Sequence, residues 1–322
     1  MAKEPSRRGF LASSAALAAL AASRAGAQPF KTTLHKAVIA GKPTEQSLKK
    51  LKDVGFEGIE CRAWNTPPDE AARCREVAEK VGMRIHSVLR GWVNFNKPKS
   101  VERDIASVTT ALKAAQGFGA DAILLVPCRT GGMPIPNPWE FEIEFDPKTG
   151  HVSRVVKGDN SKFQRYIEAQ NQATDSAREA LRKLIPVAEK TGVVIALENV
   201  WNNLWVKPAL FTNFVASFKS PWVKAYFDIG NHVKYAPPQE WIRSLGKLIA
   251  KCHVKDFKLN PDGHGGRFCR IGEGSVDWPA VRRALDEIGY NGWLTNESGG
   301  LSLAELSRRF DLIIAGKDPA KG

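Results

Sequence analysis

Eight short apolar runs alternate with helical stretches along this 322-residue chain. The runs are Thr32–Ala40, Gly58–Ala63, Arg84–Leu89, Ala122–Val126, Val193–Leu197, Val223–Phe227, Leu248–Val254 and Gly292–Thr295. Continuously apolar runs such as AILLV at 122–126 read as strands buried on both faces, the pattern of a parallel sheet. Between and after them lie helical patterns at Thr44–Val54, Asp69–Val81, Val101–Phe118, Asn160–Lys190, Ala209–Phe218, Gln239–Leu245, Trp278–Ile288 and Ser302–Ala315. Pro186 is a candidate break in the longest of these. Strict alternation implies a parallel sheet with helical crossovers. Eight units over ~290 residues predict an α/β fold, a single closed (β/α)8 barrel. An open doubly wound sheet would carry a Gly-rich phosphate turn after an early strand, and no G-x-G-x-x-G stands at such a place.

Two segments exceed the minimal unit. Cys128–Asn160 follows the fourth strand and holds Gly131-Gly132, Pro134, Pro136, Pro138 and the stretch FEIEFD before a Lys148-Thr149-Gly150 turn, which suggests an excursion with a small hairpin. Leu259–Ser275 follows the seventh strand and reads as a loop with five glycines, Arg267 and Arg270. Both belong to the C-terminal face, where barrel enzymes build their sites, and long loops there are lids or binding loops.

Residues 1–27 read as an export signal. Arg7-Arg8 precede an Ala/Leu-rich stretch from Phe10 to Ala22, followed by Ala25-Gly26-Ala27. The arginine pair resembles a twin-arginine signal, which implies a folded, metal-loaded cargo and a periplasmic protein. The apolar run is shorter than the ~20 residues that span a bilayer, so cleavage after Ala27 is expected, leaving a barrel domain at 28–322 with no membrane anchor. The chain carries +13, of which Lys3, Arg7, Arg8 and Arg24 against Glu4 place +3 in the leader, leaving about +10. No compact Lys/Arg run is interleaved with aromatics, so the charge reads as a solvated basic face and not a nucleic-acid groove. The five cysteines are scattered without a C-x-x-C, which indicates neither a zinc knuckle nor a disulfide framework.

Strands five to eight each end on one residue of metal-ligand type: Glu198, Asp228, His253 and Glu297. In a barrel these lie on neighbouring staves at one rim and converge. Taken singly, Asp228 could cap a turn, Glu198 or Glu297 could pair with Lys255, and His253 could be a core histidine. Together, three carboxylates crowded at one point require a counter-cation. Three oxygens and one imidazole suit Mn2+, Mg2+ or Co2+ better than a sulfur-rich zinc site, with Zn2+ still admissible.

The segments ALEN with Glu198, YFDIGNH with Asp228, CHVKDF with His253, IGEGSVDW at 271–278 and the closing Glu297 resemble the xylose isomerase-like barrel superfamily, in its sugar phosphate isomerase/epimerase branch. The resemblance covers about residues 31–312, and GFEGIE ending at Glu60 matches the family's second strand. It implies that Glu198 and Glu297 bind metal and also act as the acid/base pair on opposite faces of one substrate carbon. A metal on a ketone and its neighbouring hydroxyl would acidify the C–H between them. The chain departs from the epimerase pattern at Asn231, where a histidine is expected, and at Leu204, where a second glutamate is expected. Glu60, His232, Lys255 and Lys258 are the remaining candidates for binding substrate, a small carbohydrate. His86 reads as a packed barrel residue, His264 as a lid contact, and Trp64, Trp92, Trp201 and Trp205 as rim aromatics.

Four functions compete. The first is a metal-dependent sugar isomerase or epimerase working through an enediolate. The second is a lyase, hydratase or deglycosidase acting on 3-keto-glycosides after the same proton abstraction, favoured by export and by the altered orienting residues. An abasic-site endonuclease would need more histidines than the six present. A non-catalytic sugar-binding barrel would not need two carboxylates flanking one carbon. A homo-oligomer is compatible with all four.

Overall fold

The computed structural model describes residues 30–320. The expected leader lies outside them. Eight parallel strands close into a barrel: β1 (Leu34–Ala40), β2 (Gly58–Cys61), β3 (Arg84–Trp92), β4 (Ala122–Val126), β7 (Val194–Glu198), β8 (Val223–Asp228), β9 (Ile249–Val254) and β12 (Gly292–Asn296). Neighbours in sequence are neighbours in the barrel, and β12 closes on β1 with Leu34 opposite Gly292.

The helices outside it are α1 (Glu45–Asp53), α2 (Pro68–Val81), α3 (Val101–Phe118), α4 (Gln164–Thr191), α5 (Pro208–Ala216), α6 (Pro238–Leu245), α7 (Trp278–Glu287) and α8 (Leu303–Ile314). Local chemistry sets their ends. Thr44 and Ser47 form a capping box before α1, and Ser302 caps α8 by accepting from the Glu305 amide. α3 and α4 stop at Gly119 and Gly192, whose φ of 70° and 69° few other residues adopt. Pro186 does not break α4. The loss of one backbone bond is offset by an apolar face on both sides of it, with Leu181, Leu184 and Ala188 buried against the barrel.

The main core fills the layer between strands and helices. Inside the barrel a small apolar plug forms from Ala122, Leu124, Val126, Ala196 and Tyr226. The excursion after β4 contains the expected hairpin, β5 (Glu144–Phe145) with β6 (Val152–Arg154). The segment after β9 departs from the expected loop, because β10 (Asp256–Leu259) and β11 (Gly266–Cys269) pair antiparallel. Asp256 organises it: the buried carboxylate accepts from the Phe257 and Gly272 amides at 2.8 Å and from the Gly274 amide and Trp278 indole at 3.2 Å. Its neighbour Lys255 pairs elsewhere, with Asp228 and Glu297. All five cysteines are free thiols. Among the described residues no helix is long and apolar enough to cross a membrane.

Candidate metal centre

Glu198 and Asp228 are the last residues of β7 and β8, His253 is the penultimate residue of β9, and Glu297 follows β12 directly. Adjacent staves thus bring the four side chains together, each with one ligand atom within 4.8 Å of the others. His253 Nδ1 lies 2.8 Å from Glu297 Oε2 and 3.4 Å from Glu198 Oε1.

In two of the four, the other polar atom is already occupied. Asp228 Oδ1 accepts the amides of Gly230 at 2.8 Å and Asn231 at 2.6 Å. His253 Nε2 bonds Glu60 Oε2 at 2.6 Å. What remains, Asp228 Oδ2, His253 Nδ1 and Glu297 Oε2, is buried and has ion-pair contacts without hydrogen-bond geometry. Atoms oriented at a shared centre instead of at each other fit a bound cation. Their oxygen-rich donor set fits a hard divalent ion.

Electrostatics separate the two glutamates. Burial pushes the Glu198 carboxyl up to about 7. Burial acts on Glu297 in the same sense, but His253 and Lys255 outweigh it and hold that carboxyl well below the usual range. Burial, partly offset by Lys255, raises Asp228 to about 6. Burial disfavours a charge on His253, yet Glu60, Glu198 and Glu297 around the ring raise it well above its ordinary value.

Asn199 locks two of the staves together. Its Oδ1 accepts the Asp228 amide at 2.6 Å and its Nδ2 donates to the Asp228 carbonyl at 2.9 Å. Gly230 lets the next turn approach β9, since a Cβ there would sit 2.6 Å from the Lys255 carbonyl oxygen. Asn231 then faces the site, donating to Glu198 Oε1 at 3.4 Å and accepting from Lys255 Nζ at 3.1 Å.

Lys255 joins the cluster, with Nζ 3.0 Å from Glu297 Oε2 and 3.4 Å from Asp228 Oδ2. The other three substrate-binding candidates are placed differently. Glu60 is fully buried behind His253, where Ser87 donates at 3.2 Å and Tyr226 at 3.1 Å, and it holds the imidazole. His232 is buried outside the cluster, bonded to the Val200 carbonyl at 3.0 Å and packed on Tyr235 and Trp241. Lys258 is exposed on the β10–β11 hairpin. His86 is the packed residue expected, stacked on Trp293 at 4.6 Å and bonded to Thr295 at 3.0 Å. His264, at the hairpin tip, stacks on Trp139 of the β4 excursion at 4.3 Å, so the two long loops touch.

The sequence profile of the xylose isomerase-like TIM barrel family matches residues 48–310. The chain belongs to that family. As a xylose isomerase-like barrel it is 29% identical over 131 residues to L-ribulose-5-phosphate 3-epimerase UlaE of Escherichia coli, 39% of this chain and 44% of that one. The chain thus spans less than half the length of this curated relative. A D-tagatose 3-epimerase-like protein has the same fold, with a TM-score of 0.64 at 19% identity over 86% of this chain and 95% of that one. The 3-keto-D-glucoside 4-epimerase YcjR of E. coli follows with 0.60 at 16% identity over 86% and 96%.

Proposed function

We propose that this protein is a divalent-metal-dependent sugar isomerase or epimerase that moves a proton on the carbon beside a sugar carbonyl. The convergence of four ligand atoms within 4.8 Å carries the reading. Glu198, Asp228, His253 and Glu297 would hold the ion, Mn2+ in the leading assignment. The ion would polarise the carbonyl and its neighbouring hydroxyl, acidifying the C–H between them.

The chain's own residues do the rest. Glu198 on β7 and Glu297 on β12 flank Asp228 and His253 in barrel order, so they reach the centre from opposite sides. One of the two carboxylates takes the proton at a carboxylate oxygen, and the other returns one from the opposite face. Lys255 and Asn231 orient substrate oxygens. Relatives named as sugar epimerases support this class.

Asn231 favours a second reading. The epimerase pattern has histidine there, whereas a neutral amide contacts Glu198 and Lys255 here. The same abstraction from a 3-keto-glycoside could then expel a leaving group, as a lyase or deglycosidase does. Export to the periplasm, proposed on Arg7-Arg8 and the Ala-rich leader, agrees with a glycoside substrate.

Proton NMR in D2O with Mg2+-loaded protein tests the reading on free ketoses, ketose phosphates and 3-keto-glycosides. Deuterium entering the carbon beside the carbonyl with an intact skeleton supports an isomerase or epimerase. Aglycone release from the 3-keto substrates alone moves the protein to the second class. No exchange with any of them refutes both.

A further inference from the structure

The N-terminal mouth of the barrel, at the opposite strand ends from the metal centre, is not closed by packing. Branched apolar side chains usually fill the interior of such a barrel. Here a cavity of about 520 Å³ opens instead, lined by His35, Arg84, Asp121, Lys224, Lys251 and Trp293 among others. Alternation along the strands places this layer. Lys224 lies two residues before Tyr226 on β8, and Lys251 two before His253 on β9, so both point inward beneath the site. Gly58 makes room for the Trp293 ring, because a Cβ there would lie 2.5 Å from it. That ring stacks on His86 at 4.6 Å and gives the cavity one flat wall.

The charges in this mouth do not balance. Asp121 Oδ2 takes Arg84 at 3.0 Å, and Asp121 Oδ1 lies 2.6 Å from the Lys251 ammonium without hydrogen-bond geometry. Lys251 is nevertheless only 5% exposed. Lys224 has no carboxylate within ion-pair distance among the described residues, and its Nζ donates to the Lys247 carbonyl at 3.3 Å. His35 is turned to Glu57 at 3.1 Å. Three cations thus share one carboxylate. Burying a lysine and crowding like charges both cost free energy, and apolar side chains in their place would carry no such cost. A tetrahedral dianion would offset the excess and accept from donors on β3, β8 and β9 together.

We propose that this mouth is a second binding site, for a phosphate dianion that is free or carried on a small organic molecule. Arg84, Lys224 and Lys251 supply the donors, and Trp293 the wall for a carrier, for which a cavity of this size has room. The site lies at the far end of the barrel from Glu198 and Glu297, so it does not rest on the sugar reading of the metal centre.

Isothermal titration of the Mg2+-loaded protein with inorganic phosphate and with glycerol 2-phosphate tests it, with glycerol as the uncharged control. Both phosphates should bind and glycerol should not. Tighter binding of glycerol 2-phosphate assigns the site to a carried phosphate, and equal or weaker binding assigns it to the free ion. Lys224→Met should weaken phosphate by about three- to tenfold, the loss of one charge-assisted hydrogen bond at a half-buried position, and Lys224→Arg should restore it. Asp121→Asn removes the competing carboxylate and should tighten binding. Phosphate held only at the metal centre would not respond to either change. Neither phosphate binding at millimolar concentration, or an affinity unaltered in both Lys224→Met and Asp121→Asn, overturns the inference.

Discussion

Glu60→Gln isolates the support of the metal centre from the centre itself. Glu60 bonds His253 Nε2 at 2.6 Å and is fully buried. That bond fixes the ring so that Nδ1 points to the three carboxylates. Glutamine keeps the shape: with its oxygen in place of Oε2 it still accepts from Tyr226, at 3.1 Å from the carboxylate, and its amide donates to the Ser87 hydroxyl, 3.2 Å from Oε1. It removes the charge that makes the imidazole a stronger ligand. Loss of such an outer partner weakens metal binding by about 10–100-fold, or roughly 1.4–2.7 kcal/mol. Isothermal titration of chelator-stripped protein with Mn2+ measures it, and the far-ultraviolet spectrum checks that the barrel is intact. An affinity within about threefold of the unaltered protein would refute the argument that Glu60 acts through His253.

Glu297→Gln should lower α-proton exchange by about 10²–10⁴-fold while a weakened Mn2+ site persists by titration; full exchange activity would end its role in proton transfer. Burial lowers the pKa of His232 from 6.5 to about 3. The folded state therefore binds this proton more weakly than the unfolded chain. The resulting stability is complete above pH 6.5 and is lost as pH falls toward 3, at most about 5 kcal/mol. Urea midpoints across that window should flatten in His232→Gln, and an unchanged slope would count against a buried neutral imidazole. Mass spectrometry of the protein recovered from the periplasm should find Gln28 at the N-terminus, and a chain still beginning at Met1 would overturn the export proposal.

Much of the barrel was legible because a strand buried on both faces must be continuously apolar, so the polar residue that ends it stands out. Glu198, Asp228, His253 and Glu297 carried that signal, and the structure brings all four together. Depth was not legible. Glu60 lies inside β2 and points into the barrel below the rim, a distinction that one-dimensional spacing cannot make. His232, a candidate for binding substrate, lies outside the cluster because the Asp228 carboxylate captures the amides of Gly230 and Asn231, and the tight turn presents Asn231 to the site. The asparagine directly after the ligand glutamate in ALEN was a usable sign of Asn199, since an amide is the group that can both donate to and accept from a neighbouring strand. The β10–β11 hairpin was hidden because its glycines read as loop, and the carboxylate that satisfies the amides of Gly272 and Gly274 just beyond it stands up to 18 residues away.

The central claim is that one divalent ion sits between these four residues. Anomalous diffraction from a crystal of the Mn2+-loaded protein tests it most directly. A single strong peak enclosed by Glu198, Asp228, His253 Nδ1 and Glu297 is the predicted result. A map with no peak there, or with manganese held elsewhere, would contradict it.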